Sequence, residues 1–139
     1  MQAFGLSPAS VLRQAGLPAT LHIRDKAQVT TAQFFSLWRT IETLSEDPMV
    51  GIRFTSSLDT ALLPSSSLVA FYARDYQGGL ARTARFKALC APERVDISCE
   101  GDECSITVEW LHDRGVEPAA LVDVAYASVV ENFRRVGSI

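Results

Sequence analysis

Cys99 and Cys104 bracket the stretch Glu100-Gly101-Asp102-Glu103, and two thiols around three carboxylates admit three chemistries: a metal nest, a redox pair or a plain turn. A zinc site would draw on Cys90, Cys99, Cys104 and His112. Structural zinc sites favour tighter pairs such as CxxC, however, and four residues separate Cys99 from Cys104. The acidic stretch lacks the alternating oxygen ligands and terminal glutamate of an EF-hand loop, so a solvated turn is the simpler reading. In a hairpin the two cysteines would face each other on one side. A directly opposed pair without hydrogen bonds brings Cα atoms to about 4.5 Å, within disulfide reach. Against that, both occupy the apolar phase of their strands, as small packed side chains do, and the flanking carboxylates disfavour a thiolate. Packing is the plainer reading; the redox pair stays open beside it.

Acid–base catalysis needs titratable groups gathered in a cleft. The two histidines, His22 and His112, both fall in polar connectors, and no GxSxG, HExxH, Walker-type or GxGxxG sequence occurs. No catalytic residue, metal or cofactor is therefore expected.

The elements that must position these residues follow from periodicity. Residues 7–16 read as a short helix that Ser7 can cap, with Pro8 at its first position and Gly16 ending it. Thr30 opens a longer helix with Gln33 as its capping-box partner, and Phe34, Leu37, Trp38, Ile41 and Leu44 form one apolar stripe. After Asp47-Pro48 a short helix is expected in PMVGIRFTSSL, weakened by Gly51; DTALLPSSS reads as a loop. LVAFYARDY reads as a helix capped by Ser67 and broken by Gly78-Gly79. LARTARFKAL then follows as a helix burying Leu80, Ala84 and Leu89, its Arg82, Arg85 and Lys87 on a solvated face. Beyond Ala91-Pro92 the period changes to two. Val95, Ile97 and Cys99, then Cys104, Ile106, Val108 and Trp110, alternate with polar residues, giving a β-hairpin with a four-residue loop at Glu100–Glu103. The last segment, from Pro118, carries Leu121, Val122, Ala125, Val129 and Phe133 at helical spacing and can lie across the hairpin. The expected fold is α+β: several helices packed on an antiparallel sheet that includes a hairpin at about 93–111.

Composition bounds the role. The chain has 139 residues, 47% of them hydrophobic, and a net charge of -3, which suits a single globular domain and argues against an electrostatic DNA or membrane binder. No apolar run approaches the roughly 18 residues that cross a bilayer. The first residues carry no positive n-region and no apolar h-region, so a cytoplasmic protein with reduced thiols is expected.

Several segments in order, VLRQAGLP (11–18), FFSLWRTIETLSEDPMVGIRF (34–54), LVAFYARDYQGGLARTARFKAL (68–89) and the hairpin ending VEW, carry a family likeness. The chain resembles the N-terminal, arabinose-binding-like domain of AraC-type bacterial transcriptional regulators. The most specific parts are the Leu37-Trp38 helix leading into Asp47-Pro48 and Gly51-Ile52-Arg53, and the Tyr72-Ala73 step. The resemblance implies one N-terminal domain over 1–139 that senses an unknown small-molecule effector, forms homodimers, or does both. DNA would be bound only through a C-terminal helix-turn-helix domain outside this chain. An α+β domain of that kind can enclose an apolar pocket with a few polar groups, and Tyr72, Arg74, Tyr76 and Trp110 are the ligand candidates, each joining an apolar body to a polar tip. The rival readings are a thiol redox sensor using Cys99 and Cys104 and a small enzyme of unrecognised type.

Overall fold

The computed structural model describes residues 5–59, 65–112 and 115–136. Helix α1 (Pro8–Gln14) is followed by a 3₁₀ turn at Leu21–Ile23, α2 (Thr31–Ser45), α3 (Val50–Ser56) and α4 (Ser65–Leu68). A second 3₁₀ turn (Val69–Tyr72), α5 (Tyr76–Cys90), strands β1 (Glu93–Glu100) and β2 (Glu103–Trp110), and α6 (Ala119–Val136) complete the order. The architecture is α+β, with one two-stranded antiparallel sheet. Part of the segment read as a loop, residues 60–64, and the Phe133 side chain lie outside what the structure describes. The chain divides into two compact units, one taking residues up to Phe54 with Gly115–Ala125, the other Thr55–Arg114 with the residues from Tyr126.

In the first unit α2 begins as its sequence predicts. The Thr30 hydroxyl accepts from the Gln33 amide and the Gln33 side chain accepts from the Thr30 amide, so two otherwise orphaned donors are satisfied at once. The helix buries Phe35, Trp38 and Ile41. Trp38 meets Phe34 and Phe54 edge-on, with ring centroids 6.3 and 5.7 Å apart. Leu12, Ala15 and Leu17 form a small core with Leu21, Val29 and Leu37, and the Ser36 hydroxyl donates to the Ala15 carbonyl at 3.1 Å. The chain leaves α2 through Glu46 in the left-handed region (φ 50°).

Gly51 does not weaken α3 for want of packing. It lies where α3 meets the start of α6, and a Cβ built on it would stand 2.3 Å from the Ala120 carbonyl oxygen and 2.8 Å from Asp123 Cβ. The first turn of α6 is in turn held from α2: the Ala120 amide donates to Glu42 Oε1 at 2.6 Å, putting a carboxylate on a positive helix end.

In the second unit three expectations are corrected. Gly78-Gly79 does not break a helix; it lies in the first turn of α5, which Asp75 caps by accepting from the Gly78 amide at 2.7 Å. A bare Cα at Gly79 lets the helix sit against Ala70, whose carbonyl oxygen would be 3.2 Å from any added Cβ. Ser67 is a buried residue inside α4 and not a cap, and the chain continues from α4 as the 3₁₀ turn, which closes at Ala73. Leu80 is buried and Ala84 half-buried, but Leu89 is 84% exposed.

The hairpin turn is also tighter than expected. Glu100 pairs with Glu103, so the loop is two residues, Gly101-Asp102, with Gly101 at φ +60° as a type II′ turn requires of its first central residue. Counting from that turn, Cys99↔Cys104, Ile97↔Ile106 and Val95↔Val108 fall on the non-hydrogen-bonded positions, where side chains approach most closely. The opposite face carries Arg94, which pairs with Asp96 and Glu109. The helix chiefly in contact with β1 is α5, not the last helix, because only Ala91-Pro92 separates them. Lys87 and Glu93 close that contact with an ion pair at 2.9 Å; Glu93 is only 5% exposed.

Candidate functional site

A groove opens in the second unit between the 3₁₀ turn at Val69–Tyr72 and the C-terminal half of α5. Helical spacing puts Arg82, Arg85, Phe86 and Leu89 on one face of α5, and the turn brings Val69 and Tyr72 opposite them. The cavity has a volume of about 310 Å³, at the small end of the range of small-molecule sites. Val69 and Phe86 are half-buried walls, while Leu89 and Tyr72 are rim residues, Tyr72 being 83% exposed. An Arg82 N–H donates to the Tyr72 carbonyl at 2.9 Å and ties the end of the turn to the helix. Neither Arg82 nor Arg85 forms an ion pair among the described residues. The groove thus offers an apolar lining with guanidinium groups beside it.

The four ligand candidates do not gather there. Tyr72 lines the groove, but Arg74 is exposed and outside its lining. Tyr76 is half-buried and its hydroxyl is already engaged, donating to the Val129 carbonyl at 2.8 Å. Burial raises its phenol above the usual value of 10.0. Trp110 ends β2 opposite Glu93, on the face shared with Val108. The residues that complete the groove are Val69, Arg82, Arg85, Phe86 and Leu89; helical spacing puts the last four on one face of α5, but only the 3₁₀ turn opposite makes that face a wall of a groove.

Cys99 and Cys104 are not the packed, reduced thiols favoured from the sequence: their directly opposed, non-hydrogen-bonded positions bring the Cα atoms to 4.1 Å, and a disulfide joins them across the hairpin. Cys99 is half-buried, Cys104 is exposed, and Cys90, the free cysteine, is exposed as well. Among the described residues no group of three or more His, Cys, Asp or Glu side chains is arranged to hold a metal ion. Nor is any helix among them long and apolar enough to cross a membrane.

Against known families, residues 5–137 match the arabinose-binding domain of AraC transcription regulators, an N-terminal domain. The chain belongs to this family. The match takes in α2 with its Leu37-Trp38 pair, the Gly51 contact and the whole groove, so the arabinose-binding domain includes both compact units. Membership makes this AraC-type domain a regulatory, ligand-sensing one. The family name records a sugar, but the groove's lining is apolar and cationic. No curated protein matches the chain significantly.

Proposed function

We propose that the chain is the effector-sensing and dimerisation domain of an AraC-type transcriptional regulator, acting in the cytoplasm and reaching DNA through helix-turn-helix units outside residues 1–139. The observation that carries this reading is the family match over residues 5–137. The groove on α5 supports it by supplying a recess of ligand size, and the net charge of -3 supports it by leaving little for a phosphate backbone to hold. A thermal-shift screen of small acids, amino acids and sugars tests the sensing role. A ligand at a hundred times its Kd adds about 2.7 kcal/mol, a shift of several degrees. Sedimentation of the chain tests dimerisation. Salt-sensitive, sequence-selective DNA binding by these residues alone would overturn the division of labour.

One observation favours a second reading, in which the domain senses thiol redox state. Cys104 is an exposed residue, and its sulfur is the one that the thiolate of a small dithiol would attack. That attack breaks the Cys99–Cys104 bond and forms a mixed disulfide. The dithiol's second thiolate then displaces Cys104, leaving two protein thiols and an oxidised, cyclic dithiol. Reductant-dependent dimerisation or ligand affinity, abolished in Cys99→Ser, is the expected result; identical behaviour of both redox forms removes the reading.

A further inference from the structure

The geometry points to the α5 groove as the seat of an amphipathic carboxylate, its apolar tail against Val69, Phe86 and Leu89 and its anionic head held by Arg82 and Arg85. The inference rests on the sensing role proposed above and names the class of compound sensed.

Three observations carry it. The first is charge left without compensation. Carboxylates outnumber basic residues in this chain, 16 against 13, yet the two arginines lining the groove have no carboxylate partner among the described residues. Like charges at this helical spacing repel, and an anion between them relieves that repulsion. The second is orientation. Arg82 is fixed by its bond to the Tyr72 carbonyl and keeps its remaining N–H donors; Arg85 has no hydrogen-bond partner within the described chain, so its planar donor fork is available to carboxylate oxygens. The third is the lining. Val69, Phe86 and Leu89 form an apolar wall that a sugar's hydroxyls would leave unmatched, the Tyr72 hydroxyl belongs to the rim, and Leu89 is 84% exposed. A bare inorganic anion would leave that apolar surface wet, and a neutral hydrocarbon would leave the arginines unpaired. One molecule with both parts answers both.

The test is an NMR-detected titration of the chain with octanoate below its aggregation concentration, beside acetate, 1-octanol and L-arabinose. Octanoate is expected to shift the backbone signals of Val69–Tyr72 and Arg82–Leu89, with acetate and 1-octanol each binding at least about tenfold more weakly. Arg85→Gln touches no bond within the described chain and should leave the fold intact. It should weaken octanoate about tenfold, the loss expected for one charge-assisted hydrogen bond, while leaving 1-octanol unchanged. Leu89→Ser should weaken octanoate and 1-octanol together. Octanoate that fails to shift the groove signals, 1-octanol that binds as tightly as octanoate, or Arg85→Gln that binds octanoate undiminished overturns the assignment. If octanoate fails while another compound stabilises the domain in the thermal screen, the groove assignment falls and the sensing role stands. If no compound of any class stabilises it, the sensing role falls too.

Discussion

Replacing Gly51 with alanine sets two opposed effects against each other, and the structure decides the sign. Alanine favours a helix interior over glycine by about 1 kcal/mol, so propensity alone predicts a more stable protein. The added methyl, however, would lie 2.3 Å from the Ala120 carbonyl oxygen and 2.8 Å from Asp123 Cβ. Neither neighbour is the far end of a flexible side chain, so relief requires α3 and the first turn of α6 to separate. That movement also strains the bond from the Ala120 amide to Glu42. Overpacking of this kind belongs at the upper end of the usual range, about 3 kcal/mol. The net expectation is about 2 kcal/mol of destabilisation, a fall in Tm of roughly 6–10 °C for a chain of this size. Urea unfolding followed by tryptophan fluorescence measures it, because Trp38 is buried in the same unit against Phe54 of α3. The midpoint should fall with an unchanged m-value. A midpoint that rises would refute the close approach of α3 to α6.

Other perturbations have equally definite outcomes. Tyr76 is held above its usual pKa by burial, so the native state binds its proton more tightly than the unfolded chain does. Its contribution to stability is whole below pH of about 10 and is lost as pH rises from there through the folded value; Tyr76→Phe should flatten that alkaline limb in pH-dependent melts and cost about 1 kcal/mol for the lost bond to Val129. Lys87→Met leaves the Glu93 carboxylate buried without its cation, and about 2 kcal/mol of destabilisation is expected, discounted for the partial exposure of Lys87. Restoration of stability by the double variant Lys87→Met with Glu93→Leu checks that the cost is the unpaired charge. Reducing the Cys99–Cys104 disulfide opens a six-residue loop and should lower stability by about 2 kcal/mol on the chain-entropy scale, read as a drop in Tm with a dithiol present.

What was legible in the sequence was whatever is decided by near neighbours. The capping box at Thr30 and Gln33 is a three-residue affair and appears as read. The period-two runs around Cys99 and Cys104 gave the hairpin and the opposition of its cysteines, although placing Glu100 and Glu103 in the loop made the turn two residues too long. What was not legible depends on partners far along the chain. Gly51 reads as weakening its helix and Gly78-Gly79 as breaking one because intrinsic propensity is local, whereas two of these glycines are set by a neighbour's backbone: Gly51 by Ala120 and Gly79 by Ala70. The cap on α6 comes from Glu42, 78 positions away, and no pattern near Pro118 announces it. At the groove, Tyr72 was nameable from its chemistry. Arg82, Arg85 and Leu89 were not, since a basic helix face and a buried leucine are the ordinary meanings of those residues, and only the position of the 3₁₀ turn gives them another.

The hairpin carries one more implication. Strand pairing is ordinarily vulnerable to slippage by one residue, and such a slip of β1 here would turn Val95 and Ile97 out to water and bring Arg94 and Asp96 inward. A covalent tie one step from the turn makes that error impossible whatever the rest of the molecule does. With Cys99 bound to Cys104, the alignment of β1 with β2 is a property of the covalent chain and not of the folded state. A ribbon whose two faces are sorted in advance presents α5 with the same apolar side every time the two meet.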